Sequence, residues 1–189
     1  MSKENWRPGT MIYPLPAVIV TVGATPDEWN PLTIAWTGTV CSDPAMCYIS
    51  VRPNRHSFPI LMRNMEFTIN LTTVEMARAT DWVGVRSGAD YDKWAETGLT
   101  PLPGVAVKSP TIEQSPLSIE CRVKSVTDLG THHMFVADVL NVRADSKYMD
   151  PDTGKFELEK ANPLAYCHGH YYGLGELIGK FGFSVQKKK

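Results

Sequence analysis

The clearest periodicity in the chain begins at Leu117. Leu117, Ile119, Cys121 and Val123 alternate with Ser118, Glu120, Arg122 and Lys124. A period of two sends the two sets to opposite faces, which predicts a strand with one apolar and one wet face. "TDLGT" (127–131) is rich in turn formers, and "HHMFVADVLNVRA" (132–144) returns as the second arm of a long antiparallel hairpin. Upstream, "AVIVTV" (17–22) is apolar and rich in β-branched residues, the pattern of a buried strand. The turn-rich "GATPDEWNP" joins it to a second strand, predicted from Leu32 to about Val40 and ended by "SDP". "MCYISV" and "EFTINL" (66–71) predict a third and a fourth.

Three short helices are predicted. Ser57 suits an N-cap, with Pro59 in the first turn and Ile60, Leu61 and Met62 on the apolar face. Thr72-x-x-Glu75 has the spacing of a capping box, and the helical pattern continues to Val83. "DYDKWAETG" reads as one or two turns capped by Asp90, with Gly98 just past the end. "DPDTGKFEL" predicts a tight turn and a short strand. The Gly- and aromatic-rich end of the chain shows no period. Several strands, a few helices and a long hairpin, without βαβα alternation, favour an antiparallel barrel or sandwich with peripheral helices.

Composition narrows the class. The length, 189 residues, suits a single domain spanning 1–189, with peripheral termini at about 1–10 and 185–189. Nineteen Lys and Arg against 20 Asp and Glu give a net charge of -1. That balance argues against a nucleic-acid partner. The longest apolar runs fall well short of the ~20 residues that span a bilayer, so no membrane partner is expected. "AVIVTV" is read as a strand and not as an export signal. The four cysteines form no C-x-x-C pair. They read as buried thiols in a reducing cytoplasm.

Candidate chemistry concentrates in "VRPNRHSFPILM" (51–62), where Arg52, Arg55 and Ser57 precede a helix start. Arginine offers planar paired donors to a phosphate, and the first helical turn adds N–H groups and a positive dipole end. The pattern alone leaves two readings open: a phosphate site, or a capped helix beside surface ion pairs. "NPLTIAWTG" sets Thr33, Thr37 and Gly38 around Trp36, which suits either a planar ligand against a strand or an ordinary core aromatic. His132 follows a turn and can donate, accept or carry charge near neutral pH. "CHGH" (167–170) lacks a matching second ligand pair, so no metal site is assigned. "GLGELIG" lacks the strand–turn–helix setting of a dinucleotide fingerprint.

Taken in order, "N-x-x-T-I-A-W-T-G-T-V-C-S-D-P" (30–44), "ISVRPNRHS", "FTINL", "SGADYDKW", "IECRV", "GTHHMFVADV" and "YYGLGELIGKFGFS" resemble the flavin reductase-like proteins, and within them the flavoredoxin branch. The resemblance runs from about Tyr13 to Ser184. It implies a mainly β, Greek-key split β-barrel that binds FMN, usually as a homodimer. Arg55 and Ser57 would then hold the FMN phosphate, with Arg52 and Asn54 in the same turn. Asn30, Thr33, Ala35, Trp36 and Thr37 would line the ring and ribityl chain, with Ser50 and Val51 passing beside them. Lys93 would reach the flavin or its phosphate, Tyr166 would flank the ring, and His132 would act beside flavin and nicotinamide. Two functions follow as expectations. One is an oxidoreductase with NAD(P)H as candidate donor. The other is an electron carrier exchanging electrons with a redox protein partner.

Overall fold

The computed structural model describes residues 1–185. Among the described residues twelve strands form: β1 (Leu15–Pro16), β2 (Val18–Val22), β3 (Asn30–Ile34), β4 (Thr37–Ser42), β5 (Ala45–Val51), β6 (Glu66–Leu71), β7 (Pro101–Leu102), β8 (Thr111–Ile112), β9 (Leu117–Asp128), β10 (His133–Ala144), β11 (Leu164–Cys167) and β12 (His170–Gly173). The helices are α1 (Ser57–Asn64), α2 (Ala77–Val85) and α3 (Lys93–Thr97). Among the described residues, no helix is long and apolar enough to cross a membrane.

Seven strands make one antiparallel sheet in the order β3-β2-β6-β9-β10-β5-β4. Its two edge strands, β3 and β4, are neighbours in the chain, separated only by Ala35 and Trp36. A flat sheet cannot bring its opposite edges within two residues, so this one curls until they meet. The result is the split barrel that the resemblance implies. The single strand predicted from Leu32 to Val40 is therefore two. The chain leaves its pairing with β2 after Ile34 and joins β5 at Thr37. Ser50 N–H donates to Trp36 O across the join at 2.8 Å.

The barrel interior is the main core, with Val20, Ile49, Leu61, Phe67, Cys121 and Phe135 among its most buried residues. A second cluster, around Ile19, Val83 and Ile112, seats α2 on the outside. Cys47 and Cys121 are buried free thiols whose sulfurs lie 3.5 Å apart.

The β9–β10 hairpin forms as the alternation predicts, but its wet face is dry at one end. Ser118 and Glu120 are buried. Residues 101–112 fold over them. Glu120 Oε2 accepts the N–H groups of Val105, Ala106 and Val107 at 2.9, 2.5 and 3.2 Å, while Oε1 accepts Asn141 Nδ2 at 3.0 Å. The helix starts also differ from expectation. Ser57 is the first residue of α1 and makes no side-chain cap. No capping box forms, because Thr72 spends its hydroxyl on Ala17 O and a 3-10 turn at Val74–Met76 precedes α2. Asp92, not Asp90, caps α3 by accepting Trp94 and Ala95 N–H, and Gly98 ends it in the left-handed region at φ 69°. "DPDTGKFEL" forms no strand: it makes a turn, a bridge between Met149 and Phe156, and the start of a 3-10 turn at Leu158–Ala161. The aperiodic end contributes the β11–β12 hairpin, which β1 extends.

Candidate functional site

The barrel's split opens a cleft. One compartment, about 430 Å³, is lined by the β3–β4 join (Thr33, Ala35, Trp36), the end of β5 (Ser50, Val51, Arg52), His132, Tyr166 and Tyr171. A second, about 370 Å³, is lined by Asn30, Asn54, Ser57, Arg86, Gly88 and Lys93. Leu32, Arg52, Arg55 and Val85 line both, so the two are continuous. All the sequence-predicted site residues line one compartment or the other except Thr37. That residue is buried at the start of β4, where its hydroxyl donates to Tyr48 O at 2.6 Å. It holds the edge strand together and faces no cavity.

The first compartment has aromatic walls. Trp36 and His132 present nearly parallel rings, with planes within 9° and centroids 6.5 Å apart. Tyr166 is tilted against both Trp36 and Tyr171. Burial, with Arg52 and Arg55 nearby, pushes the His132 imidazole below its ordinary value, so it is neutral at pH 7. Its Nδ1 lies 3.0 Å from Thr131 Oγ1. Tyr171 donates to Asp81 at 3.2 Å, tying the β11–β12 hairpin to α2. Burial and then the Asp81 charge push this phenol up to about 12, which keeps it a neutral donor.

The second compartment is cationic. Arg52, Arg55, Arg86 and Lys93 line it, and no carboxylate does. The turn before α1 shapes it, with Arg55 N–H donating to Arg52 O and Phe58 N–H to Arg55 O. Arg55 Nη1 donates to Gly84 O at 2.9 Å, which fixes one edge of the guanidinium and leaves further N–H groups to the cavity. Ser57 Oγ accepts Asn30 Nδ2 at 2.6 Å, so its own O–H remains to donate. Lys93 is 3% exposed, with Nζ donating to Pro31 O at 3.0 Å and Val83 O at 2.8 Å. Burial, then Arg55, push its ammonium down to about 8. Gly88 stands where a Cβ would come within 2.0 Å of Asn30 Oδ1, so the wall is closed to a side chain.

This donor set fits a phosphate monoester: a guanidinium, a hydroxyl, a buried ammonium and no competing acid. The flat aromatic compartment fits a conjugated ring system. Matching the geometry, the family model described as "Flavin reductase like domain" covers residues 10–175. The chain belongs to the flavin reductase-like family. The chain is similar to an uncharacterized protein of Pyrococcus abyssi, 31% identical over 72% of this chain and 76% of that one. Among solved structures, flavoredoxin of Desulfovibrio vulgaris (Miyazaki F) superposes with a TM-score of 0.89 at 27% identity, covering 98% of this chain and all of that one. A flavoredoxin from Methanosarcina acetivorans shares the fold at a TM-score of 0.87 and 24% identity, with 98% and 100% coverage. Family membership carries the coarse function, a flavin-binding redox protein.

Sequence reasoning missed the α2 side of the cleft: Asp81, Gly84, Val85, Arg86, Ser87 and Gly88, with Tyr171 opposite. "VRSG" (85–88) follows an apolar helix end with a basic and two small residues, much as "VRPN" follows a strand. That echo was a usable signal.

Proposed function

We propose that this protein binds FMN and passes electrons through it as an oxidoreductase, with NAD(P)H as donor. The carrying observation is the continuity of a flat aromatic compartment with a cationic one. Bound FMN would supply reversible one- and two-electron chemistry at its ring. Arg55 and Ser57 would hold its phosphate from the α1 end of the cleft, with Asn30 aiming Ser57 through their hydrogen bond. Ala35 and Trp36 offer backbone and an aromatic face at the barrel split. His132, its ring parallel to Trp36 and neutral at pH 7, would be the residue able to hold a proton beside a bound flavin. The open mouth beside Tyr166 and Tyr171 admits a second planar reactant, and alignment of donor with acceptor is then the protein's main contribution.

The likeness to a flavoredoxin supports a second reading, an electron carrier served by a redox protein partner. A homodimer is part of either reading. Leu177, Ile178, Phe181 and Val185 are each more than four-fifths exposed near the C-terminus, an apolar arm suited to a second copy. A cytoplasmic setting accords with the unbonded Cys47 and Cys121.

The visible spectrum with and without NAD(P)H is the test. Flavin bands at one FMN per chain, bleached rapidly by NADH or NADPH, support the oxidoreductase. Bands that bleach only with a reduced ferredoxin-type partner support the carrier. A colourless protein that takes up no added FMN defeats both.

A further inference from the structure

Two of the aromatic walls of the first compartment, Tyr166 and Tyr171, stand on the β11–β12 hairpin, and Gly169 in its turn lines the mouth. This hairpin is not part of the barrel sheet. With β1 it makes a separate three-stranded sheet. Its base is anchored. Leu164 and Ala165 are buried, Leu164 N–H donates to Thr72 O at 3.0 Å, and Val74 N–H donates to Asn162 O at 2.9 Å. Its tip is not: His168, Gly169 and His170 are exposed. Tyr166 and Tyr171 are direct cross-strand partners, with ring centroids 5.8 Å apart. Facing them over the mouth is α2, which brings Asp81 and Gly84 to the cleft. Among the described residues, a single side-chain hydrogen bond joins β11–β12 to another element, from Tyr171 Oη to Asp81 Oδ1 at 3.2 Å.

We propose that Tyr171 and Asp81 form a latch, which holds the β11–β12 hairpin down on α2 and so sets how fast a ligand enters and leaves the aromatic compartment. The guarding role rests on the reading that the flavin ring lies in that compartment. An anchored base and a free tip let the hairpin swing about residues 162–164, so a bond near the tip controls the opening. The chemistry of the pair suits a bond that is made and broken. A phenol donating to a carboxylate is charge-assisted and stronger than a neutral pair. Asp81 is exposed, so water competes for it and the net bond is modest. Asp81 has no ion-pair partner among the described residues, and no other carboxylate lines the compartment. Its charge also disfavours the phenolate, so Tyr171 keeps its proton and donates throughout the neutral range. Tyr171 is thus a positioning residue. Through the hairpin it places its partner Tyr166 against the compartment.

The test compares the full-length wild type with Tyr171→Phe, which keeps the ring and removes the donor, with Asp81→Ala, and with the double variant. Hydrogen exchange of the flavin-free chains is read by mass spectrometry. Each single variant is expected to speed exchange of the 164–173 amides by about three- to ten-fold, leaving those of β9 and β10 unchanged as the control for folding. The double variant adds nothing beyond either single, because both break the same bond. Stopped-flow binding of FMN supplies the second readout. Association and dissociation rates rise together by about three- to ten-fold, and Kd stays within about two-fold of wild type, since a latch alters passage more than the bound state. A hydroxyl that merely touched the flavin would change dissociation alone. Unchanged exchange overturns the latch, as do additive effects of the two substitutions. Faster exchange with unchanged FMN rates, or with a rise in dissociation alone, overturns the guarding role. Failure of FMN to bind overturns the function proposed above and the guarding role with it, while exchange in the flavin-free chains still decides the latch by itself.

Discussion

Lys93→Met examines the most unusual group in the cleft. Bringing a lysine from 10.5 down to about 8 corresponds to about 3 kcal/mol against its charged form in the folded state. Below pH 8 the lysine is protonated both folded and unfolded, so the folded protein carries this whole cost. Between pH 8 and 10.5 the unfolded chain binds the extra proton, so stability rises with pH. Above 10.5 the cost has gone. Methionine keeps the length and removes the charge, but leaves Pro31 O and Val83 O without their donor, at about 1–3 kcal/mol each. The two effects nearly offset at pH 7. Urea titrations of wild type and variant, read as midpoint and slope at pH 7 and pH 10, check this. The wild type gains about 2–3 kcal/mol over that interval from this residue, and the variant lacks that part of the rise. Identical pH dependence in both proteins would refute the buried-ammonium assignment. The variant also binds FMN more weakly. A residue that costs stability in the empty protein while serving the ligand is the expected signature of a site.

Other outcomes follow from the same geometry. Arg55→Ala weakens FMN binding by roughly ten- to a hundred-fold, since a charge-assisted phosphate contact is worth about 1.5–3 kcal/mol; an unchanged dissociation constant places the phosphate elsewhere. His132→Ala changes the rate of flavin reduction or its midpoint potential more than FMN affinity, and stopped-flow mixing with a potentiometric titration measures both. Thr37→Val leaves FMN affinity unaltered, because that hydroxyl faces Tyr48 and not the cleft; loss of binding would contradict the placement. Glu120→Ala lowers stability by about 3 kcal/mol at pH 7, as it strands the N–H groups of Val105, Ala106 and Val107. Burial raises the Glu120 carboxyl, but its four donors more than offset this and hold it below the usual range. Its contribution is therefore present above pH 4.5 and fades as pH falls through the lowered value, so Glu120→Gln flattens the acid limb of the stability curve.

Short-range physics determined much of this protein from sequence. Alternation at Leu117–Lys124, the β-branched run 17–22 and the turn at 127–131 fixed the strands, because side-chain period and turn chemistry are properties of a few adjacent residues. The order of motifs carried the family. The tertiary structure decided what depends on partners far along the chain. It split Leu32–Val40 at Ala35–Trp36, because two sheet edges had to meet there. It buried Glu120, which the alternation assigns to the wet face, because residues 101–112 cover it. It turned Thr37 away from the cleft and brought α2 up to it. The expected cap at Ser57 gave way to a serine aimed by Asn30, 27 positions earlier. No local pattern encodes such a pairing; only the tertiary fold, which brings β3 beside the start of α1, supplies it.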